Sequence, residues 1–274
     1  EPGDLDLDYA FSADVPAPPD PITDRTFQGY RRADGKAGTR NYLGIVSTVN
    51  CSATASKYVA RAFDEGLLED YPNIDGIVPL VHQGGCAMQF GGDDHQQLAR
   101  TLAGFAKHPN IGGYLVLGLG CETGQGSFLV DNHGLVQLQG LEGATDGPDA
   151  ASLVMNIQDE GGVRKTVDRA VGVLKDMLPE VNRASRTKIP VSELILGTEC
   201  GGSDGNSGVT ANPAVGVASD LLVAAGATSI LGETPEIYGG EHLLTRRAQS
   251  REVGEKLVAL IDWWKDYAAK FGAE

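Results

Sequence analysis

From Asn41 onward, short uncharged runs alternate with longer stretches whose apolar residues recur at helical spacing. YLGIVSTV is followed by ATASKYVARAFDEGLL, and GIVPLV by DDHQQLARTLAGFAKH. GGYLVLGLG leads into a less regular stretch holding SFLV, GLVQL and ASLVMNI, of which one or more reads as strand. VRKTVDRAVGVLKDMLPEV then reads as a helix. Beyond the turn-like NRASRTKIP the alternation resumes with SELILG, NPAVGVASDLLVAAG, TSILGE and a long helix from about Gly240. Unbroken apolar runs of strand length between helices are what a parallel sheet buried on both faces requires. The expected fold class is therefore α/β, with mostly parallel, Rossmann-like sheets flanked by helices, in two units. Residues 28–188 form the first unit and 189–274 the second. Residues 1–27, acidic and rich in proline, read as a linker.

Composition narrows the partners. The chain carries 22 Lys and Arg against 37 Asp and Glu, a formal net charge of −15. A sequence-independent phosphate binder needs a basic surface, so nucleic acid and anionic membrane are excluded as expected partners. No apolar run approaches the ~18–20 residues of a membrane span, and no basic-then-apolar segment opens the chain. A soluble, cytoplasmic protein is expected. There are 37 glycines in 274 residues, about twice the usual share, which points to tight turns or to backbone lying close to a ligand.

In open α/β sheets, ligands bind beyond the carboxyl ends of the strands, so the residues after each apolar run carry the functional expectation. After YLGIVSTV come Asn50, Cys51 and Ser52; after GIVPLV, His82-Gln83-Gly84-Gly85-Cys86. YLVLGLG runs into Cys121-Glu122, and SELILGT into Glu199-Cys200-Gly201-Gly202-Ser203-Asp204. All four cysteines of the chain thus follow expected strands. Inert buried thiols and disulfides compete with a mouth where thiolates, carboxylates and an imidazole converge on a metal or substrate. No CxxC pair exists, so any metal site is assembled from distant loops. GLGCETG has the spacing GxGxxxG and no clear helix after it, which argues against a dinucleotide fingerprint. His95 and His108 read as solvated. Trp263-Trp264 reads first as core packing, and as an interface if exposed.

GYRRADGKAGTRNY, TVNCSA, HQGGC, RTLAGFAKHPN, GLGCE, TECGGSDGNSG, TANPAVG and ETPEIYG…EHLLTRRA together resemble the altronate dehydratase/galactarate dehydratase family, from about Phe27 to the C-terminus. The large subunit of sulfolactate sulfo-lyase shares the general pattern. The resemblance implies a hydro-lyase that removes water from a sugar acid to give a 2-keto-3-deoxy acid. It implies a divalent metal, first of all Fe2+, with Mn2+ or Mg2+ as alternatives. It further implies a small preceding domain and a longer C-terminal one, so the chain reads as a fragment holding the family's second domain and the start of its C-terminal domain. A homo-oligomer is expected.

Position at strand ends and residue type then assign His82, Glu122 and Glu199 as catalytic or metal-orienting candidates. Cys51, Cys86, Cys121 and Cys200 are the metal candidates. Arg40 and Asn50 are placed on the substrate carboxylate, with Ser52, Gly201, Gly202, Ser203 and Asp204 also expected to bind substrate. The alternatives are C–S lyase action on a sulfonated acid, and a catalytically incomplete fragment that binds sugar acid without turnover.

Overall fold

The computed structural model describes residues 17, 19–63, 65–135, 154–199, 201–202 and 204–273. The chain divides into two units, one spanning Thr26–Ile189 and the other containing Pro190–Glu274 together with the residues before Thr26.

The first unit opens with β1 (Thr26–Arg31) and β2 (Ala37–Gly38), which pair antiparallel. Its main sheet comprises β3 (Tyr42–Ser47), β4 (Gly76–Leu80), β5 (Ile111–Gly118) and β6 (Val154–Asn156), all parallel, in the order β4-β3-β5-β6. A last strand, β7 (Arg186–Pro190), joins β1 and β2 in a three-stranded sheet of order β2-β1-β7. The crossovers are α1 (Asn50–Arg61) and α2 (Glu65–Leu68) between β3 and β4, α3 (Asp93–Ala106) between β4 and β5, and α4 (Gly126–His133) after β5. Helix α5 (Val163–Val181) follows β6.

Each strand of the central pair buries both faces, which is why the sequence shows runs instead of alternation. Leu43, Ile45, Leu115 and Leu117 pack with Ala55 and Val59 of α1 and Leu174, Met177 and Leu178 of α5. On the opposite face Val46 and Val116 pack with Ala99, Leu102 and Ala103 of α3 and Leu129 of α4. SFLV thus proves helical, part of α4, while the strand in that stretch is VMN. GLVQL lies largely outside the described residues.

Tyr114 belongs to the second of these cores, and burial pushes its phenol from 10.0 up to about 12. A raised acid in the folded state keeps its stabilising contribution whole below pH 10 and loses it as the pH climbs toward 12. The loss amounts to about 2–3 kcal/mol. Urea melts across that range should show the decline, and Tyr114→Phe should flatten it.

The chain order places β4 on one side of β3 and β5 on the other, so the chain steps to one side of β3 and then crosses back to the other. Between the carboxyl ends of β3 and β5 lies the topological switch point, where the backbone diverges and leaves a crevice.

The second unit contains the parallel pair β8 (Ile195–Thr198) and β9 (Thr228–Leu231), with α6 (Ala211–Ala224) between them. Helices α7 (Glu241–Thr245) and α8 (Arg251–Lys270) follow. Ile22 of the expected linker donates its N–H to the Ala224 carbonyl at 2.9 Å, so this stretch of the opening segment is tied to the unit. Trp263 is 53% exposed and stacks on Tyr267, whose ring meets Phe271; core packing is therefore not its role. Among the described residues, no helix is long and apolar enough to cross a membrane.

Candidate active site at the switch point

Three connections of the first unit meet at the carboxyl edge of its sheet. The β3–α1 corner supplies Thr48, Val49, Asn50 and Cys51. The loop after β4 supplies residues 82–86, and the turn after β5 supplies Leu119–Glu122.

The loop 82–86 is stitched onto the corner by backbone. Asn50 N–H donates to the Gly84 carbonyl at 2.9 Å. His82 donates from Nε2 to the Ser47 carbonyl at 3.0 Å, and its Nδ1 accepts the Gly84 N–H at 3.1 Å. Both ring nitrogens are therefore engaged with backbone, which fixes the neutral Nε2–H tautomer. Gly85, at φ +101°, brings the loop so close that a β-carbon would stand 2.7 Å from the Thr48 carbonyl oxygen and 2.9 Å from Val49 Cα. Only glycine combines that dihedral with that approach.

This stitching carries Cys86 to Cys51. The Cys86 thiol is pushed above its ordinary value, first by loss of solvation, then by its hydrogen bond with Cys51 and the neighbouring Cys51, Cys121 and Glu122 charges. Cys51, Cys86 and Cys121 are all free and exposed, so the disulfide and sealed-core readings fall away for these three. Gln158, just past β6, donates to Cys121 Sγ at 3.5 Å.

Glu122 is 4% exposed. Its Oε1 accepts from Thr48 Oγ1 at 2.5 Å and from Leu119 N–H at 3.2 Å, and its Oε2 accepts from Gly120 N–H at 2.7 Å. The Thr48–Glu122 bond spans the switch point. Asn156, at the end of β6, donates to Asp159 at 2.9 Å, while its Oδ1 is buried without a hydrogen-bond partner among the described residues. That oxygen, Thr48 Oγ1 and Glu122 Oε1 all crowd the place where a β-carbon on Gly118 would stand. A cleft of 310 Å³ opens beside Glu122, lined also by Phe90, Thr123, Gln125 and Phe128.

The other expected site residues distribute differently. Arg40 precedes β3, whereas Asn50, Cys51 and Glu122 follow strands. A six-residue strand at about 3.3 Å per residue separates the two edges by nearly 20 Å, so Arg40 is not brought to this site. It lies 4.0 Å from Asp75, which Arg186 also approaches at 3.6 Å. Ser52 is fully buried and spends its hydroxyl on the Val49 carbonyl at 2.9 Å, so it faces no substrate. Asn50 is exposed at the start of α1, with Oδ1 3.5 Å from Cys51 Sγ.

Glu199, Gly201, Gly202 and Asp204 belong to the second unit, exposed after β8. Asp204 Oδ1 accepts the N–H groups of Asn206 and Ser207 at 2.8 and 2.9 Å, and these bonds hold its carboxyl below its usual range. Its role there is to shape a turn. Cys200 and Ser203 lie outside the described residues. Among the described residues, no three His, Cys, Asp or Glu side chains already stand in an ion-holding arrangement.

Three contributors escaped the sequence reading. Thr48 and Asn156 each sit at the end of a strand, the same signal that singled out Cys51. His95, expected to be solvated, is 2% exposed.

Residues 29–182 match the family model described as "D-galactarate dehydratase/Altronate hydrolase, second domain", and residues 191–274 match "D-galactarate/Altronate dehydratase, C-terminal". The chain belongs to the D-galactarate dehydratase/altronate hydrolase family. It is 41% identical to galactarate dehydratase (L-threo-forming) of Escherichia coli over 92% of its own length and 47% of that protein's. It is 37% identical to altronate dehydratase of Bacillus subtilis over 96% of its length and 49% of the relative's. A 34% identity extends to the (2R)-sulfolactate sulfo-lyase subunit beta of Chromohalobacter salexigens, covering 87% of this chain and 54% of that subunit. The chain thus spans about half the length of the curated relatives it matches. In the 26–189 unit, the switch-point edge brings together Thr48, Cys51, Cys86, Cys121 and Glu122.

Proposed function

We propose that this chain carries the site of a hydro-lyase that removes water from a sugar acid of the altronate or galactarate type, leaving a 2-keto-3-deoxy acid. The observation that carries the reading is the Thr48–Glu122 bond across the switch point, beside three free thiols, in a member of this family.

Dehydration next to a carboxylate has set demands. The proton on C2 is poorly acidic, so a base must take it while the enediolate is stabilised, and the C3 hydroxyl must leave with a proton. In this reading the amino end of α1, with no acidic side chain in its first turn, faces the substrate carboxylate. Glu122 Oε2 accepts a single bond in the fold and retains a lone pair for a substrate hydroxyl, while Thr48 and Leu119 lock the other oxygen. His82 Nδ1, held only by the Gly84 N–H two residues on, is the nitrogen free to exchange that bond for a proton. Cys51, Cys86 and Cys121, which do not already stand in an ion-holding arrangement, would have to close on a divalent ion to hold it; sulfur donors suit ferrous iron better than Mg2+. When bound, such an ion supplies Lewis-acid stabilisation of the enediolate oxygens.

The test is keto-acid formation from galactarate and altronate by the chain with added Fe2+, with and without extension at both ends to the length of its relatives. Formation that is lost in His82→Ala at unchanged fold supports the reading. Full activity in His82→Ala removes that residue's role, and absence of product at full length overturns the dehydratase reading. The sulfo-lyase relative favours one competing outcome, sulfite release from a sulfonated acid, measured in parallel.

A further inference from the structure

Two thiols of the switch-point edge stand against each other. Cys51 lies in the first turn of α1, directly after the corner formed by Thr48 and Val49. Cys86 ends the loop after β4, and that loop is held on the same corner. Asn50 N–H donates to the Gly84 carbonyl at 2.9 Å, and Gly85 packs against Thr48 and Val49. The two cysteine side chains hydrogen-bond to each other, sulfur to sulfur. Among the described residues, no further His, Cys, Asp or Glu completes an ion-holding arrangement with them.

Accessibility gives the pair its chemistry. A sealed thiol is inert, but Cys51 and Cys86 are both free and exposed, so a small oxidant reaches them. Cys121 is exposed as well, yet its sulfur accepts from Gln158 Nε2 at 3.5 Å, which ties it to the segment after β6. Cys51 and Cys86 have each other as sulfur neighbours. Two reduced, accessible sulfurs in contact are the reactants of disulfide formation, already assembled.

We infer that Cys51 and Cys86 are a reversible oxidation site, closing to a disulfide when hydrogen peroxide reaches the switch-point edge. One sulfur attacks the O–O bond, becoming a sulfenic acid and releasing the first water. The other attacks that sulfur, forms the S–S bond and expels the sulfenic oxygen as the second water. The two thiols give up two electrons and two protons, and the peroxide is reduced to water. A small thiol reverses the step by exchange and is itself oxidised. The bond ties the amino end of α1 to the loop that carries His82, and it withdraws two sulfur donors from the edge at once. It requires neither sugar acid nor metal ion, so it stands apart from the dehydratase reading.

The experiment treats the reduced full chain with a small excess of hydrogen peroxide, alkylates the remaining thiols and maps tryptic peptides by mass. The cysteines separate on digestion, because peptide 41–57 carries Cys51, 62–100 carries Cys86 and 108–164 carries Cys121. The expected result is the loss of two alkylatable thiols and one linked pair, 41–57 with 62–100, which dithiothreitol separates. Cys86→Ser should leave Cys51 as a sulfenic acid that dimedone traps. Gly85→Ala places a β-carbon 2.7 Å from the Thr48 carbonyl oxygen at φ +101°, so it pushes the loop off the corner. That variant keeps both thiols but should form the linked pair about tenfold more slowly, since displaced reactants lose their proximity. A link made instead to another cysteine, or separate oxidation of Cys51 and Cys86 to sulfinic acids, overturns the inference. Linkage at the parent's rate in Gly85→Ala also counts against it, by showing that the loop approach does not bring the sulfurs together.

Discussion

Glu122→Ala should lower the stability of the 26–189 unit by about 2–4 kcal/mol and abolish turnover. The carboxylate accepts one hydroxyl and two backbone N–H groups in a site that is 4% exposed. Truncation strands all three donors, and each unpaired buried group costs about 1–3 kcal/mol, discounted where water enters the void. Glu122→Gln separates position from charge. Its amide retains one acceptor but turns an NH2 toward an N–H or hydroxyl donor, so at least one bond becomes a donor–donor contact. A smaller loss is expected, about 1–2 kcal/mol. Chemical denaturation of both variants gives the order Ala below Gln below parent. Equal stability of all three would mean that the carboxylate is not holding the β3 and β5 ends together.

Gly118→Ala should damage the site through a single added methyl. The β-carbon would overlap the Glu122 carboxylate and approach Asn156 Oδ1 to 2.7 Å and Thr48 Oγ1 to 2.9 Å. Gly118 sits in extended β5, so alanine brings no dihedral strain and the effect is steric alone. Overpacking of this kind costs about 1–3 kcal/mol, but its larger consequence is eviction of the carboxylate from its three donors. Turnover is expected to vanish while the sheet still folds. Gly44→Ala is the matched control: in neighbouring β3, its β-carbon meets Ile111 and Tyr114 at 3.5 Å, an ordinary contact. Both variants are compared by melting temperature and keto-acid yield, with Gly44→Ala close to the parent in each.

Much of this site was readable before any coordinate, because the sequence rule for parallel sheets points at strand ends. Cys51, Cys86, Cys121 and Glu122 all follow uncharged runs, and the fold brings their connections to one edge. The same rule argues against Arg40, which precedes its strand and so belongs to the opposite edge. Residue type misled in other places. Ser52 looks like a polar ligand, but in the first turn of α1 its hydroxyl bends back to Val49, a partner that no composition argument reveals. His95 looked solvated because Asp93, Asp94 and Gln96 surround it in sequence. Helical spacing told otherwise: His95, Ala99, Leu102, Ala103 and Ala106 form one face, so the imidazole had to be buried with them. SFLV could not be separated from a strand by period, since four residues complete only about one helical turn.

The second unit was legible in its elements but less so in its chemistry. The alternation SELILG, NPAVGVASDLLVAAG and TSILGE became β8, α6 and β9. The acid at 204, in contrast, is occupied by the turn it builds, as short Asp-Gly-Asn-Ser runs favour.

Hydrogen–deuterium exchange of the full chain with and without galactarate tests the location of the chemistry most directly. Slowed exchange is expected in the β3–α1 corner, in the loop around His82 and in the turn after β5, with the Arg40 edge unchanged. Protection confined to the Arg40 edge, with the switch-point connections exchanging as before, would contradict that location.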